Sequence, residues 1–206
     1  MFDRKCKIIF IRHGATIYTE QDRLYDNDDY PPVNEKGRRE MEKISHWLKT
    51  CNPNIDMIYT SSSLRAIQSA RIISKSLKKD FEILDDIHER RAGMWGGLTF
   101  KQIEEKYPEM FEKYDKNPDS YWPEDGETIQ ELNFRVENVL NPLVKKSFQK
   151  RLIIISHTGV IRSAVRQALG IPLEFQKRVY VPTGSATQIN YYEEWSSLVY
   201  SAHIPV

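Results

Sequence analysis

A histidine next to an arginine at the exit of an apolar run is equipped to hold an anion and attack it. The chain carries this pair at Arg12-His13-Gly14, directly after Lys7-Ile8-Ile9-Phe10-Ile11. The planar arginine fork grips an anion, the imidazole can act as nucleophile, acid or base, and the glycine lets the backbone turn sharply. A second apolar run, Leu152-Ile153-Ile154-Ile155, leads into Ser156-His157-Thr158-Gly159. Two buried strands that each deliver a histidine at one edge point to two imidazoles facing one pocket. Arg65 follows a third strand-like run, in the first turn of a helix that begins after Ser61-Ser62-Ser63, whose hydroxyls read as caps. A cation there opposes the helix dipole, and an anion beside the free backbone N–H groups relieves it. An acid would complete the set. By spacing alone Asp85, Asp86 and Glu89 are equivalent candidates.

Strands and helices alternate along the chain in the order needed to bring these ends together. Lys7–Ile11, Asp56–Thr60, Phe81–Leu84 and Leu152–Ile155 read as strands. Amphipathic patterns predict helices from Asn34 to about Lys49, with Met41, Ile44, Trp47 and Leu48 on one face, and from Leu64 to about Leu77. Further helices are expected at Thr99–Tyr107, Glu109–Lys116, Thr128–Phe148 with a bend near Pro142, and Val160–Leu169 with a stop at Gly170. Ala186–Tyr192 and Leu198–Ile204 form an antiparallel hairpin at or near the sheet edge. This pattern predicts an α/β fold, a three-layer αβα sandwich with a mostly parallel central sheet and an antiparallel edge strand. Residues 93–127 are rich in charge, aromatics and proline and read as a small cap insertion in a single domain spanning 1–206.

Composition narrows the chemistry. A formal net charge of +1 provides no broad field for nucleic acid or an anionic membrane, so any positive field is local to a pocket. Two cysteines, Cys6 and Cys51, are too few for a disulfide framework and fit a reducing, cytoplasmic compartment. The start Met1-Phe2-Asp3-Arg4-Lys5 does not read as a signal peptide, and no segment approaches a membrane span. No zinc-ligand spacing occurs, which disfavours a zinc site. Asp26, Asp28 and Asp29 read as an acidic loop rather than a cation site. Tyr25, Trp95, Tyr121 and Trp122 are candidates either for stacking on a substrate or for packing.

The ordered segments resemble the histidine phosphatase superfamily, the phosphoglycerate mutase-like family. The matching pieces are Arg12-His13-Gly14, the Ser-Ser-x-Leu-x-Arg-Ala-type run ending Gln68-Ser69-Ala70, Glu89 with Gly93-x-Trp95-x-Gly97, Glu124 to Thr128, and Ser156 to Arg162. The resemblance implies a metal-independent phosphomonoesterase for small phosphate esters that works through phosphohistidine. It assigns His13 as nucleophile, Arg12 and Arg65 as phosphoryl clamps, His157 as a cationic second donor, and Glu89 as the acid. Thr16 and Thr158 would join Arg12, His13, Arg65 and His157 around the phosphate. Thr19 stands where the family often has asparagine, and Gly96 where small phosphatases often have glutamate. The short span from Glu89 to His157 resembles the small-phosphatase branch, that of α-ribazole and broad-specificity phosphatases, more than the mutases. A mutase, or a binding protein without turnover, are the alternatives.

Overall fold

The computed structural model describes residues 5–26, 31–51 and 54–206. Asp28 and Asp29 lie outside them. The strands are β1 (Cys6–Arg12), β2 (Met57–Thr60), β3 (Phe81–Ile83), β4 (Arg151–Ser156), β5 (Ala186–Tyr191) and β6 (Ser196–His203). They form one sheet in the order β3-β2-β4-β1-β5-β6. The first four run parallel, while β5 pairs antiparallel with β1 and carries β6 at the edge.

The helices are α1 (Ile17–Glu20), α2 (Glu35–Cys51), α3 (Leu64–Leu77), α4 (Phe100–Lys106), α5 (Pro108–Lys116), α6 (Ile129–Lys146) and α7 (Thr158–Leu169). Strand alternation sorts the core into two layers. Ile8, Phe10, Leu152 and Ile154 pack against α6 and α7 through Leu132, Val136, Leu140, Val160 and Ala164. Ile9, Ile11, Ile153 and Ile155 face the opposite way, onto Met41, Ile44 and Leu48 of α2 and Ala66, Ala70 and Ile73 of α3. Cover on both faces explains why β1 and β4 read as unbroken apolar runs rather than alternating ones. Each fully buried aliphatic chain contributes roughly 1.5–3 kcal/mol.

Helix α6 starts at a capping box in which the Thr128 hydroxyl accepts from the Glu131 N–H and Glu131 reaches back to Thr128. It continues through Pro142, with Leu140, Leu143 and Val144 buried on either side of that residue. Short elements escaped the sequence reading. α1 has four residues, and the 3-10 turns at Asp85–Ile87, Gly93–Trp95 and Leu173–Arg178 are shorter than any reliable period.

Between β3 and α6 the chain leaves the sheet and builds its own apolar cluster around Trp95, which is fully buried against Ile103, Trp122, Tyr114 and Tyr121. Backbone hydrogen bonds tie this cluster to the loop after α1. The Leu24 N–H donates to Leu98 O and the Gly97 N–H to Leu24 O, both at 2.9 Å, and the Ala92 N–H donates to Tyr25 O at 3.0 Å.

The connections that leave β1 and β4 go to opposite faces of the sheet, to α2 and α7 respectively. Adjacent parallel strands that diverge in this way open a crevice at their C-terminal ends. The ladder pairs Arg12 with Ser156, so the two residues that follow, His13 and His157, emerge side by side at that crevice.

The loop after β1 passes very close to the start of α2. A Cβ on Gly14 would lie 2.5 Å from Gly37 O, and one on Gly37 would lie 2.4 Å from both backbone N and O of Ala15. These clashes are with backbone, which cannot swing aside. Gly37→Ala is therefore expected to cost about 1–3 kcal/mol. That corresponds to roughly 3–10 °C in thermal midpoint, readable by calorimetry.

Candidate active site

His13 is buried where β1 ends. Its Nδ1 lies 2.8 Å from the Gly14 carbonyl, which can only accept, so the proton resides on Nδ1. Nε2 then carries the lone pair, and it accepts from Arg65 Nε at 3.2 Å. The loop is held by the Gly14 N–H donating to Ser69 Oγ at 3.0 Å, while Ser69 Oγ donates to Arg65 O at 2.8 Å. The turn after the nucleophile candidate is thus bolted to the helix that carries Arg65.

Arg65 reaches the second imidazole with the same guanidinium. Its Nη2 donates to His157 Nδ1 at 3.1 Å. Because arginine cannot accept, His157 Nδ1 is unprotonated, and its Nε2–H donates to Ser61 Oγ at 2.9 Å. The two imidazole centroids are 5.1 Å apart. Burial first, and then the positive charge of Arg65, hold both histidines well below the ordinary imidazole range. Both are neutral in this arrangement. The serine run corrects one sequence expectation. Ser63 occupies the N-cap of α3 but makes no side-chain cap bond, and Ser61 serves His157 instead.

Glu89 approaches from the loop after β3. Its Oε1 accepts from the backbone N–H of Arg90 and of Gly159, both at 2.9 Å. Gly159 lies in the first turn of α7, where the helix dipole favours a carboxylate. A Cβ at 159 would sit 2.5 Å from Glu89 Oε1, so any side chain there displaces the acid. The loop that carries Glu89 is braced twice. Ser156 Oγ donates to Ile87 O at 2.7 Å, and Arg135, in a two-bond ion pair with Glu127, donates to Asp86 O at 2.6 Å.

Arg12 Nη1 donates to Val181 O at 2.7 Å, and its Nε is buried without a hydrogen-bond partner among the described residues. Burial works against its charge, while Glu89 favours it. Arg162 stands nearby, with Nε donating to Val179 O at 2.8 Å; burial works against its charge, and Glu89 offsets part of that.

The structure brings together His13, His157 and Arg65 in direct contact, with Glu89 and Arg12 beside them. The two threonines differ. The Thr16 hydroxyl hydrogen-bonds Tyr25 Oη and accepts from the Thr19 N–H as the cap of α1, whereas Thr158 Oγ1 is buried with no hydrogen-bond partner among the described residues. The Thr16 N–H donates to Thr19 Oγ1 at 2.9 Å and so completes a capping box. A cavity of about 370 Å³ adjoins the site on the side of Arg65 and Glu89, lined by these two with Tyr25, Asp26, Ser62, Ser63, Asp85, Asp86, His88 and Arg90.

Sequence reasoning singled out most of these groups but missed Ser61 as a histidine partner and Arg90 as a wall. Arg90 lies 3.6 Å over the Trp122 ring, and burial pulls it down to about 10. Its position directly after Glu89 was the available signal. Of the four aromatics weighed for stacking, Trp95, Trp122 and Tyr121 belong to the third apolar cluster, and Tyr25 lines the cavity. Asp26 also lines the cavity, and its Oδ1 accepts from the Gly93 N–H at 2.9 Å. His88 shares the cavity wall with Glu89, whereas His46 is exposed on α2 and His203 lies against Trp47.

Comparison with known proteins places this geometry in context. A relative from Hydrogenobacter thermophilus, phosphoserine phosphatase 1, is 27% identical over 169 residues, covering 81% of this chain and 78% of its own. Phosphoglycerate mutase-like protein 4 of Arabidopsis thaliana is 28% identical over 165 residues, covering 79% and 70%. The fold matches the α-ribazole phosphatase of Shigella flexneri at a TM-score of 0.86, with 21% identity over 97% of this chain and 98% of that one. It matches a phosphoserine phosphatase mutant from Entamoeba histolytica, in complex with phosphoserine, at 0.83, with 20% identity over 97% and 98%. Residues 8–202 match the histidine phosphatase superfamily (branch 1), and the chain belongs to that family.

Proposed function

We propose that the protein is a phosphatase for small phosphorylated metabolites and that it works through a phosphohistidine on His13. One observation carries this reading. A buried, neutral imidazole has Nδ1 fixed to a carbonyl and a lone pair on Nε2, and the Arg65 guanidinium donates both to that lone pair and to His157 Nδ1. A cavity of about 370 Å³ suits a small ligand. The phosphatase names of several relatives support hydrolysis.

In this mechanism Arg65 and Arg12 take the phosphoryl oxygens, with Thr158 Oγ1 as a further donor. Nε2 of His13 attacks phosphorus as the ester P–O bond breaks. Glu89 gives the departing oxygen a proton that arrives with the anionic ester. Oε1 is occupied by two backbone donors, which leaves Oε2 to hold that proton. Glu89 then takes a proton from water as the water oxygen attacks phosphorus, the N–P bond breaks, and phosphate leaves. His157 takes up a proton when the dianion arrives, because Arg65 releases its Nδ1 to the phosphoryl group, and it becomes a second cationic donor. Catalysis here is mostly positioning and charge neutralisation. We read residues 93–127 as a cap on a single domain and as the part that selects the leaving group. The free cysteines Cys6 and Cys51 support a cytoplasmic setting. Among the described residues no helix is long and apolar enough to cross a membrane.

Phosphate release from a panel of phosphorylated metabolites, including phosphoserine, α-ribazole phosphate and 3-phosphoglycerate, tests the reading. His13→Ala should lower turnover on the order of a thousandfold or more and abolish labelling by a radioactive phosphoryl donor. Isomerisation of 3-phosphoglycerate without phosphate release would favour a mutase instead.

Glu89→Gln should lower kcat roughly 100- to 10,000-fold and leave the affinity for inorganic phosphate close to wild type. Gly159→Ala should reproduce part of that loss by displacing the carboxyl. Unchanged kinetics in both would remove Glu89 from the mechanism.

The depressed histidines also set an acid limit on stability. Below about pH 6.5 the unfolded chain protonates His13 and His157, while the folded chain does not until well below that. Stability therefore falls as pH drops through this window, by about 1.4 kcal/mol per pH unit for each histidine, and is level with respect to them above it. Denaturant titrations of wild type and a His13→Gln, His157→Gln double variant across pH 5 to 8 check the slope.

A further inference from the structure

Tyr25 is joined to the site in ways that the phosphoryl chemistry above does not use. Its ring lies 3.7 Å from Arg65 Cζ, so the guanidinium rests on the aromatic face. Its edge meets the His13 ring at 6.0 Å and 82°. Its hydroxyl bonds to Thr16 Oγ1, and its carbonyl accepts from the Ala92 N–H at 3.0 Å. The residue is 7% exposed, clamped between the loop after β1 and the Trp95 cluster. A guanidinium lying on a fixed aromatic face loses most of its freedom to roll. The orientation it keeps is the one that sends Nε to His13 and Nη2 to His157.

We infer that Tyr25 is a positioning residue for the reaction, whose aromatic face sets the plane of Arg65 so that the guanidinium addresses both imidazoles and the phosphoryl group together. The inference rests on the phosphatase reading for its effect on esters, but not for its effect on bare phosphate. The face is the active part. An aliphatic chain would fill the space and leave Arg65 able to turn. Protonation follows the same logic. His13 is faced by Arg65 from α3, Arg12 from β1, His157 from the end of β4 and Tyr25 from its loop, with Glu89 beyond Arg12. An Arg65 that rolls away presses less on His13, which then protonates at higher pH.

The test compares Tyr25→Phe, Tyr25→Leu, Arg65→Lys and the Tyr25→Leu, Arg65→Lys pair. Affinity for inorganic phosphate is read by calorimetry, and kcat/KM against pH with the best ester. Tyr25→Leu should weaken phosphate about tenfold and move the acid limb of kcat/KM to higher pH, while Tyr25→Phe, which keeps the face, restores most of both. In the Arg65→Lys background, Tyr25→Leu should add less than about twofold, since its action runs through Arg65. Wild-type phosphate affinity in Tyr25→Leu overturns the inference, as does a Tyr25→Phe as weak as Tyr25→Leu, or a full tenfold loss in the Arg65→Lys background. If Tyr25→Leu shows no cooperative thermal transition, Tyr25→Met is read in its place. A wild-type protein that binds phosphate but releases none from any ester ends the phosphatase reading, while the binding comparison still decides the role of Tyr25.

Discussion

The guanidinium of Arg65 touches three rings at once: the face of Tyr25, Nε2 of His13 and Nδ1 of His157. Burying a cation among imidazoles is costly unless its N–H groups find acceptors and its charge finds something to polarise. The imidazole lone pairs and the π face supply part of that return. The same contact dictates the protonation of the site, because an arginine that only donates obliges both histidines to accept. Tautomer, neutrality and the direction of the attacking lone pair thus follow from one side chain.

The rest of the molecule serves to keep that contact in place. β1 and β4 are neighbours in the sheet, so both histidines rise from one crevice. α3 begins at the end of β2, so Arg65 comes down on them from the same edge. The Gly14–Gly37 approach and the Ser69 bonds fix the loop to the helices on one face, and the Glu127–Arg135 pair braces the acid-bearing loop on the other. A buried ion pair such as Glu127–Arg135 is a weak source of net stability but a strict one of geometry, since breaking it leaves a lone buried charge.

The fold was legible in the sequence wherever burial imposed a period. The unbroken runs of β1 and β4, the spacing of Met41, Ile44 and Leu48, and the turn at Gly170 each correspond to an observed element. What stayed hidden depends on contacts between segments far apart in the chain. Nothing local separates Asp85 or Asp86 from Glu89. Only the fold sets Glu89 against the Gly159 N–H while Asp85 and Asp86 remain exposed. Ser61 looked like a helix cap because helix propensity is local, and its partner His157 lies 96 residues away. Pro142 does not end α6, because buried Leu140, Leu143 and Val144 on either side hold the element together across it.

The division of labour between the ladder and the Trp95 cluster bears on how such a chain can change. The hydrogen-bond register of β1 and β4 admits no slack: one inserted residue in either strand would flip its side chains to the opposite face and carry a histidine out of reach of its partner. The excursion after β3 has its own core, and its start is tied to the loop after α1 by backbone bonds, by Arg23 and Asp26, and by the packing of Leu24. Its middle, α4 and α5, can vary without touching the sheet, whereas its ends hold the Tyr25 loop and the loop that carries Glu89. Change is therefore easier to absorb in α4 and α5 than in the strand register, where a single slip separates the two histidines.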